Sequence, residues 1–454
     1  MKNCIWILSF IIIFCWQESS GQDKQEIKKW TLEDCINYAV TNNIGLKRQS
    51  LLTETSEANL FKSKMDFLPT LNFGSDAQMG FGRSIDPVTN LITFKQNISN
   101  SYALSTRLNL FNGFATLNSN VASRFMYKAG IEAEKIARNT LIIEILGQYY
   151  QVLYARGIEE AAKMQVDLSE KQFFRITKMV GTGREALSRQ YEIESQLSDD
   201  RLSYTIAHNN ASQALTTLKQ MLRIESGTDF DILIPDLSSL PITDDVLKAD
   251  SIYQIASQTL PRLKAIEYEL EANRKQISAA KGNLVPSLYV GGTVYTGYYK
   301  VISDEATDQV SFTSQLKNNN SQAVYFSLDI PIFNNFVTGH SIKTAKIRKN
   351  DTALRLELEK NNLYTEIENA CLNYTRGKDE FLAAKANLEF NNKSFNAIQK
   401  KFESGLVDVT DYSAAKTTLF RAETEALRTK LQMLIRKLTI SFYTTGEYEN
   451  LIVN

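Results

Sequence analysis

The second half of this sequence repeats the first, and that constrains the fold more than any other feature. Leu68-Pro69-Thr70-Leu71 recurs 217 positions later as Val285-Pro286-Ser287-Leu288, and at the same offset Ala39, Leu46 and Lys47 return as Ala256, Leu263 and Lys264. Further along, Leu110-Phe111-Asn112 returns as Ile332-Phe333-Asn334 and Gly183 returns as Gly405, both 222 positions later. The drift of five residues falls between the Pro and the Phe, so one loop there is longer in the second copy. A chain built this way folds as two copies of one supersecondary unit. Each copy reads helix, Pro, variable stretch, Phe-Asn, a long run ending in Gly, and helix again.

The long runs carry an apolar stripe at alternating steps of four and three. In the second copy it passes through Leu363, Ile367, Ala370, Tyr374, Gly377, Phe381, Ala384, Leu388, Asn391, Phe395, Ile398 and Phe402, ten of the twelve apolar. Shifted back by 222, it passes from Leu141 and Ile145 to Ile176 and Val180 with nine of twelve apolar. No Pro interrupts either run. A stripe of this period held for about five heptads is a coiled-coil seam, and at 1.5 Å per residue such a helix is a rod of roughly 100 Å. Structural coiled coils without any transport role carry the same stripe.

After each Pro the period changes from 3.5 to 2. Leu71, Phe73, Ala77 and Met79 alternate with Asn72, Gly74, Asp76 and Gln78; Tyr102, Leu104, Leu108 and Leu110 alternate with Ala103, Ser105, Arg107 and Asn109. In the second copy Leu288, Val290 and Val294 alternate with Tyr289, Gly291 and Thr293, and Val324 to Ile332 alternates likewise with Tyr325, Ser327 and Asp329. The pattern predicts four strands, over 70–82, 101–111, 287–299 and 322–332, joined by long polar loops. Alternation of this kind serves a membrane barrel, with one face on lipid and one on water, or a soluble sandwich. Four strands cannot close a lumen alone, and open edges are not tolerated in lipid. Membrane strands here require several chains to share one barrel.

The ends are simpler. Lys2 precedes an apolar run of 13 residues, Cys4 to Trp16, followed by small residues to Gly21. This predicts an export signal over 1–21, too short for a membrane helix, which takes about 20 apolar residues. The first repeat then occupies 22–225 with its β-hairpin at 69–111. A Pro-broken linker between the halves follows at 226–249. The second repeat occupies 250–445 with its hairpin at 286–333, and 446–454 is a tail.

Chemistry is not indicated. The balance of 51 basic and 51 acidic residues argues against a nucleic-acid binder, which needs a basic excess to neutralise phosphates. His208 and His340 stand far apart, and Cys35 and Cys371 read as separate buried thiols. Gly181-Thr182-Gly183 lacks the Gly-Lys-Ser/Thr that completes a phosphate loop. No cofactor, metal site or enzymatic activity is expected.

Taken together, the paired Leu-Pro-Thr-Leu and Val-Pro-Ser-Leu segments, with Pro69 and Pro286 opening the hairpins, resemble the TolC family of outer-membrane efflux proteins. So do Leu110-Phe111-Asn112-Gly113 with Pro331-Ile332-Phe333-Asn334, and the turn Gly405-Leu406-Val407-Asp408-Val409-Thr410-Asp411 into an Ala-rich helix. The resemblance covers nearly all of residues 30 to 445. It implies a mixed membrane fold, a long α-helical coiled-coil barrel continued by a transmembrane β-barrel of four strands per chain and twelve in a homotrimer. It also implies a passive exit duct in the outer membrane of a Gram-negative bacterium. A periplasmic adaptor would join it to an inner-membrane pump or ABC transporter. The competing class is a periplasmic scaffold or adhesin without channel activity.

The same resemblance makes the turns at Gly183 and Gly405 the periplasmic tip. Asp408 and Asp411, three apart and so neighbours on one helix face, are candidates for an acidic gate, Asp411 aligning with one of the family's acids. The family's next acid falls on Ala414, and Arg189 stands where the matching helix often has an acid. Arg184 and Arg189 are candidates for closing the gate by pairing with the two aspartates. Carboxylates at this position also serve as ordinary helix caps.

Overall fold

The computed structural model describes residues 29–85, 90–225, 227–235, 248–302 and 310–446. The expected export signal, most of the linker and the tail lie outside the described residues. The first repeat begins with β1 (Lys29–Trp30), α1 (Leu32–Asn42) and α2 (Ile44–Met65). Its strands are β2 (Thr70–Gly80) and β5 (Asn97–Asn112), with a small hairpin of β3 (Ser84–Ile85) and β4 (Ile92–Thr93) between them. Two long helices follow, α3 (Ala115–Gly181) and α4 (Leu187–Leu222). After β6 (Asp231–Ile232) the second repeat supplies α5 (Ala249–Thr259), α6 (Pro261–Gly282), β7 (Ser287–Val301), α7 (Phe312–Asn318), β8 (Ser321–Asp329), α8 (Val337–Glu403) and α9 (Val409–Thr445).

The duplication is kept element by element. α2 and α6 are both 22 residues long, and α3 and α8 are both 67. Their starts are fixed by local chemistry that differs between copies. Thr31 and Asp34 form a reciprocal capping box on α1, and the Asn43 side chain caps α2. At the matching place α6 starts on Pro261, whose missing N–H costs nothing in a first turn.

The apolar stripe is the packed seam. Eight of its twelve positions in α8 are buried and the other four half-buried; in α3 seven are buried. α3 also buries a second face, including Ile142, Leu146, Tyr149 and Leu153, because α2, α6 and α9 pack on it besides α4. One core gathers α1, α3 and α4 with Phe230 and Ile232, and a second gathers α5, α6, α8 and α9. A third core, at the far end, draws Ile176 and Ile193 from the first repeat and Phe395, Phe402, Val409, Tyr412 and Leu419 from the second.

The two strand pairs join in one antiparallel sheet of order β2-β5-β7-β8. β8 ends at Asp329, short of the run read from the sequence. Pro331 brings no N–H to a ladder and restricts the residue before it, so pairing stops there. The second loop is not irregular throughout but holds α7. Separately, β1 and β6 pair in parallel, with Trp30 set edge-on to Phe230 at 5.5 Å.

Candidate functional site: an open sheet and a clasped helical tip

The register of the four-stranded sheet sorts its side chains onto two faces. Directly opposed residues share a face, so Leu71, Thr106, Gly292 and Val324 lie in one row, and Phe73, Leu104 and Val294 in the next. With Leu108, Val290, Phe326 and Leu328 they make an apolar face. Phe73, Val324 and Phe326 on it are 69%, 78% and 73% exposed, and large apolar side chains exposed together mark a membrane or protein contact surface. The opposite face carries Asn72, Ser105 and Thr293 in one row and Thr70, Arg107, Gly291 and Tyr325 in the next. There the Arg107 guanidinium sits 3.6 Å over the Tyr289 ring.

Both edges of this sheet are open, since β2 and β8 each have one neighbour among the described strands. Before the start of β8, which pairs only as far as Tyr295, α7 covers the exposed edge of β7. The buried Gln315 side chain imitates a strand: its Oε1 accepts from the Tyr299 N–H at 2.9 Å, and its Nε2 donates to the Tyr299 carbonyl at 2.9 Å. Asn319 donates likewise to the Gly297 carbonyl at 2.8 Å. This satisfies backbone groups that would otherwise be orphaned. A long polar loop conceals such an element from sequence reading, because a seven-residue helix carries no clear period.

From the sheet the chain turns into the long helices through matched corners. Phe114 and Phe336 both adopt left-handed backbone, with φ of 61° and 60°, and Asn112 and Asn334 each donate to the Thr four residues on. Gly113 is packed so closely on the Gly282 backbone that a Cβ there would lie 2.3 Å from its carbonyl oxygen.

At the opposite end each hairpin turns at its Gly. Gly183 and Gly405 have φ of 71° and 73°, a region that costs other residues steric strain. Their N–H groups bond to Val180 and Phe402, and those of Arg184 and Leu406 reach back to Met179 and Lys401. Both turns are therefore Schellman caps.

The candidate gate residues separate into two roles. Asp408 is the N-cap of α9, its Oδ1 accepting from the Asp411 N–H at 2.8 Å, and Asp411 lies exposed in the first turn. Arg189 makes no ion pair with either aspartate in the chain. It donates from Nη2 to the Val407 carbonyl at 3.2 Å, lies 5.3 Å over the Phe402 ring and stands 3.9 Å from Glu185. Arg184 is exposed, and its backbone N–H makes the bond of the turn. Sequence reasoning missed Arg175, whose guanidinium donates to the Glu403 carbonyl. Two arginines of the first hairpin thus grip main-chain oxygens at the tip of the second. The acceptors are backbone atoms, which no residue pattern announces.

Other chemistry is sparse. Cys35 and Cys371 are free and buried, and burial, reinforced by Asp34, pushes the Cys35 thiol up to about 12. His208 sits 2.6 Å from Glu159. Among the described residues no group of three or more His, Cys, Asp or Glu is placed to hold a metal ion, and no helix is long and apolar enough to cross a membrane.

The family model "Outer membrane efflux protein" matches residues 252–446. The outer membrane protein TolC of Salmonella enteritidis is 21% identical over 329 residues, covering 70% of this chain and 64% of TolC. The chain thus spans a little under two thirds of that relative. Toxin and drug export protein A of Aggregatibacter actinomycetemcomitans is 18% identical over 355 residues, 77% of this chain and 74% of its own. Among solved structures, CusC, described for its folding and transmembrane channel formation, superposes with a TM-score of 0.76 at 17% identity over 92% of both chains. Over residues 252–446 the sequence is similar to the outer-membrane efflux proteins, and over most of its length the chain shares the fold of CusC.

Proposed function

We propose that three copies of this chain share one twelve-stranded barrel in the outer membrane and continue it as a helical duct through the periplasm. The observation that carries the reading is the open sheet. A sheet with an exposed apolar face and two unpaired edges is stable in lipid only when β8 of one copy pairs with β2 of the next and the ring closes. The 67-residue helices then extend the lumen by roughly 100 Å at 1.5 Å per residue. The duct performs no chemistry. It is the passive exit of a tripartite efflux or type I secretion system, energised by an inner-membrane pump through a periplasmic adaptor, and the pump selects the cargo. The toxin and drug export relative and the CusC channel support this role.

In the same reading residues 1–21 are removed on export, 226–249 form the equatorial linker of the helical wall, and 446–454 form its tail. The periplasmic end closes at the tip, where the symmetry brings Asp408 and Asp411 of three chains toward one axis, with Arg184 and Arg189 on the facing hairpins. Capping by Asp408 is compatible with this, because a capping carboxylate uses one oxygen and keeps its charge.

Cell fractionation tests the proposal. An outer-membrane oligomer of three chains whose gel mobility changes on heating supports it. A soluble periplasmic monomer supports the scaffold and overturns it.

A further inference from the structure

Ser169, Asp200 and Lys416 form a charged cluster sealed between the two helical hairpins. Ser169 lies on α3, Asp200 on α4 and Lys416 on α9, at 2%, 9% and 2% exposure. The Lys416 ammonium donates to Ser169 Oγ at 2.5 Å and to Asp200 Oδ2, while Ser169 Oγ donates to that same carboxylate oxygen. Gln196 Nε2 donates to the other oxygen at 3.1 Å. Burial pulls the Lys416 ammonium below the usual lysine range, against the opposing pull of Asp200. A buried ion pair adds little net stability over a packed apolar replacement. Its best-attested value is in fixing register or choice of partner.

The duplication shows what there is to choose between. At the offset of 222, Ser169, Asp200 and Lys416 correspond to Asn391, Ala422 and Glu194. The chain therefore carries two hairpins of matched length with different side chains at this level. The α3/α4 hairpin receives a neighbour on Ser169 and Asp200 and presents the exposed Glu194; the α8/α9 hairpin receives on Asn391 and Ala422 and presents Lys416. The first receiving the second gives the observed cluster. The second receiving the first sets Glu194 against neutral residues. The first receiving another first sets Glu194 against Asp200, two like charges. The second receiving another second buries Lys416 against Ala422 with no counter-charge, a costly arrangement.

We infer that Lys416, Asp200 and Ser169 are a pairing key, which makes each first-repeat hairpin accept a second-repeat hairpin on this face and so enforces alternation when copies of the chain assemble. The inference rests on the assembly proposed above. It explains why the charged set Ser169, Asp200 and Lys416 is not repeated at the matching positions Asn391, Ala422 and Glu194. Repulsion in the wrong pairings contributes as much to this selectivity as attraction in the right one.

Disulfide cross-linking of the full-length protein in detergent tests it. Ser198 is exposed one turn beyond Glu194 on α4. In an alternating ring, first-repeat hairpins never abut, so two copies of Ser198→Cys cannot meet. Ser198→Cys is placed in three backgrounds: the native key, the key removed by K416M with D200L, and the key charge-swapped by K416D with D200K and E194K, which keeps two like charges opposed in the first-on-first pairing. Oxidation is expected to raise the disulfide-linked dimer tenfold or more when the key is removed, and to leave the charge-swapped protein at the native level. A native level without the key, or an elevated level after the swap, overturns the inference. Should the key-removed protein fail to fold, the swapped protein decides: native-like assembly supports the key and failure to assemble overturns it. The mass of the native-key protein separates the two kinds of failure. An oligomer with unchanged cross-linking sinks the key alone, whereas a monomer sinks the assembly and the key together.

Discussion

Arg189 on the first hairpin donates to the carbonyl oxygen of Val407, 3.2 Å away in the tip turn of the second. The contact joins residues 218 positions apart and lies beside the stack of Phe402 on Tyr412, whose ring centroids are 4.5 Å apart. The tip is thus clasped within one chain before any neighbour is added. Because the acceptor is main chain, the clasp depends on the guanidinium and on the shape of the turn, not on an acidic partner. Arg189→Lys is expected to weaken the clasp, since an ammonium cannot both donate here and lie flat on Phe402. Limited proteolysis checks this: cleavage near residues 404–408 should quicken at least severalfold, and an unchanged rate would show the contact to be idle.

The tip turn supplies a second prediction. A Cβ on Gly405 would meet nothing within 4 Å, so its requirement is conformational alone. Gly405→Ala should therefore cost about 1–2 kcal/mol, the usual penalty for a side chain in left-handed backbone. Gly405→Asn should cost less, because Asn tolerates that region. Denaturant melts of the two variants distinguish this from a packing role, which would penalise Asn more than Ala.

The membrane face is tested by charge. Leu104 and Phe326 lie on the apolar face, Ser105 and Ser327 on the other. Leu104→Arg or Phe326→Arg should impair insertion by about 2–4 kcal/mol at the bilayer midplane, whereas Ser105→Arg and Ser327→Arg should assemble normally. Equal behaviour of the two pairs in outer-membrane fractions would reverse or remove the face assignment.

The seam is tested by truncation. Phe381 is buried in the second core, and Phe381→Ala should cost about 3–5 kcal/mol. A melt within error of the unaltered protein would mean that the stripe is not a packed interface.

Protonation offers a further check at Cys35. Its thiol titrates near 12 in the folded chain against an ordinary value of 9.0, because burial disfavours the thiolate. The raised value means that this site's contribution to stability is full below about pH 9 and is lost as pH rises toward about 12. Comparing alkaline unfolding of the native chain with Cys35→Ala should show a shallower loss in the variant across that window. Parallel curves would mean that the thiol is not desolvated.

Much of this fold was legible because it is periodic. A 3-4 stripe such as Leu363 to Phe402 and a dyad stripe such as Leu71 to Met79 are local signals, and the offsets of 217 and 222 place each element twice. What escaped is what depends on contacts between distant segments. Lys416 pairs with Asp200, 216 residues away, and a lysine on a helix reads as solvated until its neighbours are known. Gln315 imitating a strand and Arg175 on the Glu403 carbonyl are invisible for the same reason: their partners are backbone atoms, which every sequence contains. Asp408 and Asp411 were legible as capping residues, while a charge ring made by several chains is a property of symmetry.

That ring can be probed directly. If six carboxylates of Asp408 and Asp411 surround the axis, a trivalent cation added on the periplasmic side should block the open channel, since clustered like charges bind counter-ions. Asp408→Asn with Asp411→Asn should relieve the block. Equal block in both proteins would falsify the acidic gate and leave capping as the role of Asp408.

The central claim is that this chain forms a channel through the outer membrane, and conductance across a planar bilayer measures it most directly. Purified full-length protein, reconstituted at low density, should produce discrete current steps of uniform size that are absent from Leu104→Arg preparations. Protein that associates with the bilayer yet leaves the current at the lipid baseline, under any voltage that the membrane survives, would contradict the account.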